Sequence, residues 1–294
     1  METELRILQK LNSIANLPTL PVVMHKISAA VRDPKTDARS LAVIMEDDPA
    51  IMARVLKIVN SAFYAGAFPV TTVQQAVARM GLRAIHNIAL STAVFSAFGK
   101  SEDNTFDRKE FWRHSICVGI GACLLADRAA SRLTRPYPRD SLHLAGLLHD
   151  IGKIVLDQYF HDEFLAALAR SRASAVSFRQ AEEEAFRADH AQIGAWLGAK
   201  WNLTDELTQV VRWHHDPAGA GENRREINML IHVSNCICNR HGIGDGGDTT
   251  APDFVAEPWW RLGLAEKEDA PAIAEAIRKE SEKSEILLSL AEGA

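Results

Sequence analysis

The sequence lacks any run of 18 uncharged apolar residues, so nothing in it is expected to span a bilayer. Its first stretch, METELRILQKLN, is charged from the second residue and has no apolar segment, which predicts no secretory signal. Cysteine is sparse: Cys117, Cys123, Cys236 and Cys238 show no CxxC spacing, and all lie inside apolar runs. A disulfide scaffold is therefore excluded, and small buried thiols in a reducing, cytoplasmic compartment are the expectation. An excess of positive charge is also missing. With 33 Lys and Arg against 38 Asp and Glu, the formal charge is −5, which gives no footprint for nonspecific nucleic-acid binding. No internal repeat or low-complexity tract is present. A hydrophobic share of 47% against 24% charged excludes a disordered or collagen-like chain. Alternating strand patterns are scarce too. Phe68-Pro69-Val70-Thr71-Thr72 comes nearest and is too short to build a sheet.

What is present is helical. In ARSLAVIMEDDPAIMARVLKIVN, apolar residues recur at spacings of three and four: Leu41, Ile44 and Met45, then Ile51, Val55, Ile58 and Val59. Asp48-Pro49 reads as an N-cap followed by proline in the first helical position. Thr72 marks another helix start and Gly81 a stop, and Leu17 to Pro21 is a breaker ahead of PVVMHKISAAVRD. The fold class expected is all-α. Residues 99–108 are polar and acidic, a linker. Residues 243–252, rich in Gly and Asp, read as a loop without fixed structure, followed by one or two amphipathic C-terminal helices. The domains expected are an N-terminal helical part, 1–105, a second helical part, 106–242, and a loop with C-terminal helices, 243–294.

Candidate chemistry is concentrated. Nine of the 11 histidines fall between residues 110 and 241, and the other two, His25 and His86, stand isolated on helical stretches and read as structural. His149-Asp150 ends the apolar run SLHLAGLLHD, and Gly152 predicts that the helix bends or stops there. A buried carboxylate at that place is costly unless paired or metal-bound. Taken alone, the doublet also reads as a helix-end histidine beside a capping aspartate. His114 opens an apolar helix, His190 opens HAQIGAWLGAKW, and His214-His215 closes LTQVVRWHHDP. Each singly reads as structural. Jointly they place imidazoles at helix termini, where several helices can bring them to one pocket. Neutral imidazoles with a carboxylate suit Fe, Mn or Zn, and such a site can activate water for attack on phosphorus. No local spacing rule for a metal is matched, so a metal-free cluster stays open.

The combined motifs LHLAGLLHDIGKIVL, FWRHS, DHAQIGAWLGAKWNL and HHDP resemble the HD superfamily of metal-dependent phosphohydrolases. LPTLPVV, DDPAIMARVLKIVNSAFYAG and TTVQQAVARMGLRAIHNIALS bring the likeness closest to the HDOD branch, over roughly residues 10–240. The resemblance implies His114, His149 and Asp150 as a metal-ligand set, with His190, His214 and His215 matching the extra histidines of dinuclear, HD-GYP-like relatives. It implies one or two divalent transition ions. The last aspartate of the set should fall in INMLIHVSNCICNRHG, where this chain has Asn235, and the GYP segment is missing after His215; hydrolysis of cyclic di-GMP is not expected. Lys153 would approach a substrate phosphate beside Asp150 in an active relative, and otherwise reads as a solvated lysine at a helix end. HDOD proteins are generally signalling modules, so the resemblance implies a regulatory protein acting through a signalling protein partner or a nucleotide ligand. The alternative is a metal-dependent phosphohydrolase or phosphodiesterase.

Overall fold

A computed structural model describes residues 4–14, 17–64, 66, 68–98, 105–174, 176–248 and 255–292. Seventeen α-helices and no strand occur among them. In chain order they are α1 Glu4–Ser13, α2 Val22–Arg32, α3 Ala38–Met45, α4 Pro49–Val59, α5 Val73–Met80 and α6 Leu82–Ala97. Then come α7 Arg108–Arg128, α8 Arg139–Leu148, α9 Ile151–Tyr159, α10 His161–Ala173, α11 Phe178–Phe186 and α12 His190–Lys200. The last five are α13 Asp205–Trp213, α14 Glu222–Arg240, α15 Ala256–Arg261, α16 Glu266–Ser281 and α17 Glu285–Glu292. None of the described helices is long and apolar enough to cross a membrane.

The contacts divide the chain into two compact units, one within residues 1–17 and 101–280, the other within 18–100 and 281–294. Among the described residues, α15 and α16, the latter as far as Glu280, fall in the first unit and α17 in the second. The linker assigned to 99–108 lies partly outside the described residues; within it, Phe106 is buried and Asp107 caps α7.

The unit around residues 18–100 follows local rules. Asp48 accepts from the backbone N–H groups of Ala50 and Ile51 at 3.1 and 3.0 Å, and Pro49 opens α4 without losing a hydrogen bond. Thr72 caps α5, and Gly81, at φ 86°, ends it. Leu41, Met45, Val55, Ile58, Ile85 and Ile88 form a buried core. The stretch around Val70 needs no strand partner because the Asn60 amide serves both its backbone groups: Asn60 Oδ1 accepts from Val70 N, and Nδ2 donates to Val70 O, each at 2.7 Å.

In the other unit, α7 packs on α8 and α14, and α12 on α9 and α13. Two close approaches set the spacing. A Cβ on Gly146 would lie 2.2 Å from the Gly119 nitrogen, so α7 and α8 meet backbone to backbone. A Cβ on Gly152 would lie 2.0 Å from the His190 carbonyl oxygen, so the start of α9 meets the start of α12. Both contacts bear directly on the histidines.

Candidate metal centre

The helix carrying LHLAGLLHDIGKIVL breaks at His149-Asp150: α8 ends at Leu148 and α9 begins at Ile151. This puts both side chains at a turn inside the bundle. The Gly119–Gly146 contact brings the His114 and His149 rings to 5.6 Å between centroids. The Gly152 contact brings His190, first residue of α12, against Asp150. Asp189 and Gln192 form a capping box that fixes where α12 starts. His214 is the C-cap of α13, and His215 follows it. His114, by contrast, lies in the second turn of α7 and not at a helix terminus as the sequence suggested; the missing polar side of α7 lets it point inward from there.

His114, His149, Asp150, His190 and His214 have no exposed surface, and His215 has 5%. Their ring orientations are set by what each Nδ1 meets. His149 Nδ1 donates to the Gly146 carbonyl at 2.7 Å and His214 Nδ1 to the Val211 carbonyl at 2.9 Å. His190 Nδ1 faces Glu182 Oε2 at 2.5 Å, and His114 Nδ1 faces the Ile243 carbonyl at 3.3 Å. With the proton drawn to Nδ1, the Nε2 atoms of His149 and His214 carry lone pairs and turn toward Asp150. The separations are short: His149 Nε2 to Asp150 Oδ2 3.3 Å, His190 Nε2 to Asp150 Oδ1 3.1 Å, and His214 Nε2 to the same Oδ1 3.3 Å. His215 Nε2 lies 2.8 Å from His190 Nε2.

These residues fit a metal on two observations. His149 Nε2, Asp150 Oδ1 and His214 Nε2 are buried and have no hydrogen-bond partner, a state that costs about 1–3 kcal/mol for each uncharged group. Donors at about 2.0–2.1 Å from one ion and at right angles to each other sit about 3 Å apart, which is the spacing found. The donors fall into two groups that share Asp150: His114, His149 and Asp150, and Asp150, His190, His214 and His215.

Electrostatics sharpen this. Burial pushes His114 down to about 4 and likewise takes His214 to about 4, so both imidazoles are neutral at neutral pH. His190 goes the other way: burial opposes its charge, but the Glu182 carboxylate beside it raises it to about 10.

Lys153 is fully buried rather than solvated, contrary to the simpler sequence reading. Its Nζ lies 2.7 Å from Asp150 Oδ2, and the carboxylates of Asp150 and Asp248 overcome burial to hold it above the usual lysine value. Asn235 stands in the site as well. Ser234 donates to the Val118 carbonyl at 2.8 Å, fastening α14 to α7, and Asn235 Oδ1 then lies 3.0 Å from His114 Nε2.

Three participants escaped sequence reasoning. Glu182 is fully buried on α11 and holds both the backbone N–H and the ring of His190. A signal existed: Glu182 shares the apolar face of Phe178, Ala181 and Phe186. Asn239 donates to Asn235 Oδ1 at 2.9 Å, one helical turn away. Asp248 had no local signal, since its partner Lys153 is 95 residues distant in the chain. The part of the 243–252 loop that is described, 243–248, is packed against the site; residues 249–252 lie outside the described residues.

Comparison with known proteins decides the family: the HDOD domain matches residues 17–217. The chain belongs to the HDOD family. A relative described as an uncharacterized protein, from Treponema pallidum (strain Nichols), is 26% identical over 223 residues, covering 76% of this chain. The alignment takes in only 42% of that relative's length. Two solved structures share the fold with a TM-score of 0.72 and 24% identity each. One, from Shewanella amazonensis SB2B, is provisionally named a phosphohydrolase, with 97% of each chain covered. The other, from Marinobacter aquaeolei VT8, is provisionally named a signal transduction protein, with 94% of this chain and 59% of that one covered. The HDOD match stops short of residues 243–248.

Proposed function

We propose that this HDOD protein is a regulatory module whose buried histidine–aspartate cluster holds one or two divalent transition ions. His114, His149 and Asp150 would hold one, and Asp150, His190, His214 and His215 the other. Bound there, an ion supplies a cross-link between four helices and a Lewis acid at the pocket floor. The carrying observation is enclosure. Every donor is 5% exposed or less, and the loop from Ile243 lies over His114. A site of that kind stabilises and senses more readily than it turns over substrate. The neutral Asn235 beside His114, where the catalytic relatives' pattern calls for an aspartate, supports the same reading.

One feature favours the second reading, a metal-dependent phosphohydrolase acting on a nucleotide or other phosphoester: an ammonium, Lys153, stands 2.7 Å from Asp150 and could meet a phosphate oxygen.

Metal analysis of protein purified without chelator or histidine tag tests the first claim, and at least one Fe, Mn or Zn per chain is expected. With Mn²⁺ or Fe²⁺ loaded, bis-p-nitrophenyl phosphate should show no turnover above that of the His149→Ala/Asp150→Ala variant. Turnover that disappears in that variant would transfer the conclusion to the second reading. Asn235→Asp should raise metal affinity or uncover weak hydrolysis; no change in either would remove the charge argument.

A further inference from the structure

Lys153 is wholly buried, and its ammonium has a full set of three partners. Nζ donates to Asp150 Oδ2 at 2.7 Å, to the Gly246 carbonyl at 2.7 Å and to Asp248 Oδ2 at 2.9 Å. Two of the three come from one short segment, Ile243 to Asp248. The segment lies on the first turns of α7. Asp245 N donates to the Glu110 carbonyl at 3.0 Å, and the Ile243 carbonyl faces His114 Nδ1 at 3.3 Å. A Cβ on Gly244 would lie 2.3 Å from the His114 nitrogen, and one on Gly246 would lie 3.0 Å from the His114 ring. Only glycine lets the backbone come this near, and at φ +67° Gly244 also takes a conformation that side chains disfavour. Gly247 N then donates to Asp245 Oδ1 at 2.8 Å, a turn that precedes the Asp248 carboxylate on Lys153.

The charges explain why the arrangement is stable and why it can exchange. A buried ammonium stripped of its carboxylate costs several kcal/mol, so Lys153 cannot simply lose Asp248. It can trade one oxyanion for another, because a phosphate oxygen satisfies an ammonium as well as a carboxylate oxygen does. We propose that Ile243 to Asp248 is a self-supplied occupant of the pocket's anion subsite: Asp248 holds Lys153 as a phosphate group would, and a phosphate or phosphoester binds only by displacing it. The proposal deepens the regulatory reading by naming the ligand class and the element it moves. It rests on that reading for the neighbouring ions, while the exchange itself needs only Lys153 and the two oxyanions.

The test uses the full chain and inorganic phosphate, followed by calorimetry, with metal content measured on the same preparations. Asp248→Asn should bind phosphate at least tenfold more tightly than the unsubstituted protein, and Asp248→Asn/Lys153→Met should lose that gain. Amine labelling read by mass spectrometry should modify Lys153 faster in Asp248→Asn than in the unsubstituted protein. A folded Asp248→Asn that binds phosphate no more tightly, or a gain that survives Lys153→Met, overturns the proposal. If Asp248→Asn does not fold, amide exchange in the unsubstituted protein decides: saturating phosphate should speed exchange at residues 243–248, and unchanged exchange overturns it. A phosphate gain in metal-free protein upholds the exchange while refuting the metal reading, so the two fail separately. Adenosine monophosphate binding more tightly than phosphate would assign the subsite to a nucleotide, and equal binding to phosphate alone; either result supports the exchange.

Discussion

The two units bury polar side chains to different ends. In the unit around residues 18–100, His86 Nε2 meets Ser28 Oγ at 2.9 Å, its Nδ1 meets Asn87 Oδ1 at 3.0 Å, and Thr92 Oγ1 donates to the Ala89 carbonyl at 2.8 Å. Each of these polar atoms is answered by a neighbour within the same unit. In the histidine-rich unit, the Nδ1 of His149 and His214 is answered in the same local way, yet their Nε2 atoms are left facing Asp150 from separate helices. A buried histidine is thus structural when both nitrogens are answered at home, and a candidate ligand when one is oriented and the other left open.

Removing the shared acceptor should break this contrast most strongly. Asp150→Ala removes one of the two carboxylates that hold the buried Lys153 ammonium and should cost about 3–5 kcal/mol in urea unfolding, together with loss of bound metal. In the other unit, Ile58→Ala should cost about 2–5 kcal/mol by cavity formation and leave metal content per folded chain unchanged. A fall in metal content there would show the contrast to be wrong. Gly146→Ala pushes a methyl into the Gly119 backbone and should cost about 1–3 kcal/mol while weakening metal binding through the displaced His149.

Acid separates the units less sharply. His143, next to Cys123 on the histidine-rich side, is driven down to about 3, chiefly by burial, so the folded state takes up its proton later than the unfolded chain does. Its contribution is intact above the unfolded value of about 6.5 and is lost as pH falls toward 3. His143→Gln should flatten the decline of stability over that window, and His86→Gln, lowered in the same direction by burial, should do so to a smaller extent. Equal acid profiles for variant and parent would refute the assignment. The smallest effect belongs to the surface: Lys26 and Asp47, each 53% exposed, pair at 2.6 Å, and Lys26→Ala should change stability by less than about 1 kcal/mol.

Much of this was legible in the chain itself. Asp48-Pro49, Thr72 and Gly81 mark helix ends because capping needs only atoms a few residues apart. Gly152 gave the break at His149-Asp150 for the same reason. What failed was judged by local pattern but decided across the fold. Lys153 looked solvated because its sequence neighbours do not reveal Asp248. The Gly- and Asp-rich segment looked unstructured because its partners, Glu110 and His114, lie more than a hundred residues earlier.

The sequence by itself determined the helices, their ends, the apolar cores and the identity of the histidines, since periodicity and capping act over one or two turns. Only the tertiary structure decided that five of those histidines gather around Asp150, that Glu182 backs His190, and that Asp248 closes on Lys153. Those relations depend on side chains from distant helices meeting within about 3 Å, a distance set by backbone approach at glycines and by the demand that buried charge be answered.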